Sequence, residues 1–178
     1  DYRWHSLRRG QSEMTVFQYT LEGFGHLEYE GKHYDVPLEH ALMIHVPHDN
    51  CYSLPPESDY WRFIYISLNG SEALTTWRNV EKAAGPVVRL PFSSPSILLL
   101  KEILLSGLNK AYDTPFKNSA MGYAFLMRLA EDLTQMGAGE QGRRPKFIMK
   151  VIEFCQKELH EDINVDDMAV VAGYSRFH

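Results

Sequence analysis

Tyr60-Trp61-Arg62-Phe63-Ile64-Tyr65-Ile66-Ser67-Leu68 divides its side chains between two faces. Because successive residues of a strand point in opposite directions, Trp61, Phe63 and Tyr65 share one side while Ile64, Ile66 and Leu68 share the other. Aromatic and β-branched residues suit a pleated surface, and apolar side chains on both sides mean a strand covered on both. The stretch therefore predicts a sheet lying between two further layers.

Upstream, the period of strands runs back to Met14. Val16 to Leu21, Phe24 to Tyr29, His33 to Val36, Ala41 to Val46 and a short run near Cys51 to Leu54 are separated by Glu22-Gly23, Glu30-Gly31-Lys32, Pro37, Pro47-His48-Asp49 and Pro55-Pro56-Glu57-Ser58. Short strands punctuated by turns roughly every eight to twelve residues predict a sandwich or barrel.

Downstream the period changes. Glu72 to Ala83 predicts a short helix. Ser94-Pro95 and Thr114-Pro115 each place a capping residue before a proline at the first helical position. The helices they open run through Ile97, Leu100, Ile103, Leu104 and Leu108, and through Ala120, Tyr123, Ala124, Met127, Leu129, Ala130 and Leu133 to about Met136. Both carry more apolar surface than one stripe requires, so one face is expected to cover the barrel and another to meet a second copy of the chain. Gly137 to Pro145 is glycine-rich and polar and reads as a linker. Ile148, Val151, Ile152, Cys155 and Leu159 then mark an amphipathic helix.

The tail, Glu161 to His178, reads EDINVDDMAVVAGYSRFH. Asn164 is a favourable N-cap, Asp167 can return the capping bond, and Val165, Met168, Ala169, Val171 and Ala172 form an apolar stripe. Gly173 can stop the helix, and Ser175 can cap a second one beginning Arg176-Phe177-His178. By spacing alone this is either a helix-turn-helix or another helical hairpin.

The 178 residues, 44% of them apolar, suffice for one domain and an appendage. A net charge of -5 argues against a large phosphate-binding surface. Cys51 and Cys155 are isolated, so neither a disulfide framework nor a zinc site is expected and a reducing cytoplasm fits. No signal peptide or membrane-spanning run is read.

Asp167-Met168-Ala169 followed by Gly173-Tyr174-Ser175-Arg176-Phe177-His178 resembles the first helix-turn-helix of the arabinose-regulator (AraC/XylS) family of bacterial transcription regulators. The order of strands, two helices, linker and helix-turn-helix resembles that family too. So do Thr20 to Gly25, Gly31, Pro47 to Tyr52 and Trp61 to Tyr65 in their spacing. The resemblance implies a mainly β plus α fold. A cupin-like (jelly-roll) effector-binding barrel would occupy 1–92, dimerisation helices 93–136, a linker 137–145, and the start of a helix-turn-helix domain 146–178. It also implies a homodimer, with DNA contacted through the complete C-terminal domain by residues including Ser175, Arg176 and His178.

A pocket is expected on the inward side of the barrel. Trp61, Tyr65 and Tyr52 offer flat rings edged with hydroxyl and indole donors, and Asn50 offers a neutral donor and acceptor. Such walls suit the apolar faces and hydroxyl rims of sugars. The alternative is that these rings only fill the barrel. By register from Thr20 and Gly31, the resemblance puts Arg8 at the pocket mouth as a clamp, with Asn50 standing for a histidine and Tyr65 for a tryptophan.

His26, His33, His40, His45 and His48 all fall among the strands, and a metal-dependent cupin enzyme is the rival reading. Such an enzyme needs an H-x-H pair, a carboxylate and a further histidine. There is no H-x-H, Asn50 stands at the late histidine position, and His40 replaces the usual glycine. Neither a G-x-S-x-G nucleophile nor a phosphate loop is present, so no enzyme, metal or cofactor is expected.

Overall fold

The computed structural model describes residues 2–10, 12–109, 114–137, 146–158 and 163–173. By its internal contacts the chain divides into two compact units, Asp1–Thr134 and Gln135–His178.

The first unit is built on eight strands: β1 (Arg3–His5), β2 (Met14–Gly23), β3 (Gly25–Tyr29), β4 (Lys32–Val36), β5 (His40–Val46), β6 (Asn50–Ser53), β7 (Trp61–Leu68) and β8 (Val87–Arg89). They form two antiparallel sheets, ordered β1-β6-β3-β4 and β7-β2-β5-β8. At the β3–β4 hairpin the chain reverses through Glu30 and Gly31, both with positive φ, the conformation for which glycine is the low-cost residue. The two sheets face each other as a cupin-like jelly roll. Helices α1 (Ser71–Ala84), α2 (Pro95–Leu108) and α3 (Pro115–Gly137) complete the unit.

The alternation read in Trp61–Leu68 separates two cores. Val16, Leu27, Val36, Leu42, Ile44, Val46, Tyr52 and Trp61 fill the space between the sheets, with Phe63 against them. Phe17, Tyr19, Met43, Trp77, Leu100, Phe125, Leu126 and Leu129 join the opposite face of the β7-β2-β5-β8 sheet to the helices, with Ile64, Ile66 and Leu68 packed alongside. Phe17 meets Phe125 and Trp77 edge-on, with centroids 5.2 and 6.5 Å apart. Each such large apolar side chain contributes about 1.5–3 kcal/mol by leaving water.

Three features depart from the sequence reading. β1 and β8, three residues each, were not expected. Their ladders come from partners distant in sequence, β6 for β1 and β5 for β8. Ser94 precedes α2 but makes no side-chain cap; the backbone N–H of Ser96 donates instead to Oδ2 of the buried Asp132 on α3, at 2.8 Å. That carboxylate satisfies an orphan donor and faces the positive end of the helix.

In the second unit, α4 (Lys146–Lys157) is followed by α5 (Val165–Ala172). The capping box is formed: Asn164 Oδ1 accepts from the N–H groups of Asp166 and Asp167, and Asp167 Oδ2 accepts from the N–H of Asn164. Gly173, at φ 78, ends α5 in the left-handed conformation. The linker from 138 onward and Ser175, Arg176 and His178 lie outside the described residues. Among those described, no helix is long and apolar enough to cross a membrane.

Candidate functional site

β2 sends Val16, Gln18 and Thr20 into the space between the sheets, and antiparallel pairing sets Gln18 beside Tyr65 and Leu42, and Thr20 beside Phe63. β6 adds Tyr52 from the facing sheet. The chain ahead of β1 adds Tyr2, whose ring lies 5.4 Å from Phe63, 6.2 Å from Tyr52 and 5.8 Å from Trp61, perpendicular to the last. Its hydroxyl donates to Oε1 of Gln18 at 3.0 Å. Gln18 is 2% exposed, and its Nε2 has no partner.

The expected site residues separate. Tyr52 is buried and its hydroxyl accepts from Nη1 of Arg9 at 2.8 Å. Burial pushes its phenol above the usual range, against the opposing pull of Arg9. Tyr65 shares the inward side of β7 but is 65% exposed, since β7 is the last strand of its sheet.

Trp61 lies inside, yet its indole N–H is already used: it donates to Thr20 Oγ1 at 2.9 Å, and Thr20 donates to the Val36 carbonyl at 2.9 Å. Gly25 lies flat against this indole, where a Cβ would come within 2.3 Å of ring atoms. Asn50 is likewise committed. Its Oδ1 accepts from Ser6 and its Nδ2 donates to the His45 carbonyl at 3.3 Å. Arg8 is exposed and lines a separate cleft of about 240 Å³ with His5, Leu7, Glu28, Asp49 and Asn50. Its neighbour Arg9 is the one that reaches Tyr52 and lies over the ring of Trp4.

The sequence does not single out Tyr2, Arg9, Gln18 or Thr20 as site residues. The one signal for Gln18 in the sequence is an amide at an inward position of a strand whose residues 15–20 are all buried.

A second polar cluster sits on the helix-facing side of β5. Glu81 of α1, 5% exposed, accepts from the Tyr29 hydroxyl and from Nδ1 of His45, each at 2.8 Å. His48 donates to Glu30 at 3.1 Å and stacks on Tyr29. These residues line a cleft of about 410 Å³ with Lys32, Arg78 and Lys82. Among the described residues, no group of three or more His, Cys, Asp or Glu is placed to hold a metal ion.

The description "AraC-like ligand binding domain" matches residues 1–129. The chain belongs to that family. Residues 1–129 are thus an AraC-like ligand-binding domain, the kind of module that the tail's resemblance to a regulator implied. The crystal structure of the AraC-like transcriptional activator CuxR is similar at 11% identity and a TM-score of 0.46, over 98% of this chain and 63% of that one. The AraC-like chain therefore spans less than two thirds of that protein's length. No curated protein matches it.

Proposed function

We propose that the chain is the effector-binding and dimerisation region of a cytoplasmic, DNA-binding transcription regulator. The observation that carries the effector reading is Gln18, a buried amide with one unused hydrogen-bonding half, set among Tyr2, Tyr52 and Tyr65 at the edge where β7 ends its sheet. A buried polar group without a partner costs free energy that a ligand recovers. The effector is a small molecule combining an apolar face with hydroxyl groups, a class that includes carbohydrates and hydroxyaromatic compounds alike. Tyr52 and Arg9 anchor its polar rim and Tyr65 closes its outer side; Arg8, on present geometry, acts only at the neighbouring cleft. Trp61 contributes shape rather than a hydrogen bond.

Regulation is a coupling of sites. The effector binds two arrangements of the domain unequally and so shifts how the DNA-binding portion is presented. That portion includes α4 and α5, and Ser175, Arg176 and His178 would serve DNA contact within it. Dimerisation is supported by apolar residues left exposed on α2 and α3, among them Leu105, Leu108 at 72%, Phe116 at 85% and Tyr123.

A calorimetric screen of sugars and small metabolites tests the effector reading. A response that disappears in Tyr65→Ala is expected, and silence across the screen from both proteins would reduce the pocket to core. Light scattering tests the dimer: a monomer at high micromolar concentration would contradict it.

A further inference from the structure

Five aromatic rings crowd one end of the space between the sheets, and four of them, Tyr52, Trp61, Phe63 and Tyr65, stand on strands that pair along their length. Tyr2 differs. It lies just ahead of β1, a three-residue strand at the edge of its sheet, and its backbone is held through the Tyr2 carbonyl accepting from the N–H of Leu54. Its ring is nevertheless part-buried among the other four, edge-on to Trp61 and inclined at 46° to Phe63, and its hydroxyl takes one half of the Gln18 amide.

Taking the effector reading above as its basis, we infer that the seat of the Tyr2 side chain is the effector's own. The effector is then a small planar hydroxyaromatic compound, with a hydrogen-bond acceptor next to its hydroxyl, that replaces Tyr2.

Rings approaching from several sides, edge-on and tilted, define a slot for a flat ring with a positive edge and negative face. A sugar, puckered and lined with hydroxyls on every edge, would meet apolar ring surface where it needs partners. Tyr2 meets the requirement incompletely. A single phenol satisfies Oε1 of Gln18 and leaves Nε2 unused. A catechol-like pair of adjacent oxygens, one donating and one accepting, would satisfy both halves of the amide, and this holds whichever way the amide is turned. The domain thus carries a built-in competitor one hydrogen bond poorer than the true ligand. Apparent affinity is lowered by the fraction of time Tyr2 is seated.

The test titrates the full chain, its Tyr2→Ala and Tyr2→Phe variants, and Tyr2→Ala combined with Gln18→Met, with three probes: catechol, the saturated ring diol of the same size, and glucose. Binding is followed by calorimetry and by intrinsic tryptophan fluorescence. Catechol is expected to bind Tyr2→Ala about tenfold tighter than the parent chain, to lose about tenfold when Gln18→Met is added, and to exceed the saturated diol by a similar factor. Tyr2→Phe, which keeps the ring but frees the amide, is expected to gain a smaller factor of about three, and it stands in should Tyr2→Ala not fold. No gain on altering Tyr2, or equal binding of the two diols, overturns the inference. Glucose binding without catechol binding overturns it while leaving an effector site in place. Failure of all three probes in every variant removes both.

Discussion

At Thr20 one hydroxyl accepts from the indole of Trp61 and donates to the carbonyl of Val36, so a single side chain keeps two buried groups from going unpaired. Thr20→Val keeps the shape and removes both bonds, and a loss of about 2–3 kcal/mol is expected by chemical denaturation, against under about 0.5 kcal/mol if solvent can reach the indole. Tyr19 makes a related point through pH. Burial, with the Glu39 carboxylate adding, pushes its phenol from 10.0 up to about 12. The folded chain keeps that proton after the unfolded chain has lost it. Stability from this group is therefore full below pH 10.0 and is lost as pH rises toward about 12. Burial raises Tyr2, Tyr29 and Tyr52 in the same direction. Tyr19→Phe should lower the slope of stability against alkaline pH without abolishing it; it should also cost about 1 kcal/mol at neutral pH by losing the bond to the Leu90 carbonyl. An unchanged slope would mean that this phenol ionises freely. Which arginine enters the site was hidden at this scale. Arg8 and Arg9 differ by one position, and the short 3-10 turn at Ser6–Arg8 decides which of them faces Tyr52.

Elements whose signals are local were legible. The α5 capping box needs only Asn164 and Asp167, and the Thr114 cap needs only the N–H of Lys117, which donates to Thr114 Oγ1 at 3.3 Å. Elements defined by a distant partner were not. β1 and β8 are too short to show a period, and the cap of α2 comes from a residue on another helix. Asp132→Ala is therefore expected to destabilise the domain by about 1–2 kcal/mol, while Ser94→Ala changes it by under about 0.5 kcal/mol. The reverse order, read from thermal or urea midpoints, would return the cap to Ser94.

Across the whole molecule the sequence showed a β sandwich followed by helices because β7 announced apolar cover on both faces. It could not show how deeply the helices belong to the barrel, since that depends on which turns of α2 and α3 meet Phe17, Tyr19 and Met43. A fragment of residues 1–92 would uncover that face; it is expected to aggregate, whereas 1–134 stays soluble with cooperative unfolding. A soluble, cooperatively melting 1–92 would show that α2 and α3 are accessories.

The central position of β2 has a consequence for biosynthesis. Its neighbours β5 and β7 and the helix that covers it leave the ribosome long after it does, so Phe17 and Tyr19 spend most of translation without cover. A nascent chain of this protein thus keeps those two rings uncovered until Leu129 has emerged, and slowing elongation after β7 would lengthen their exposure.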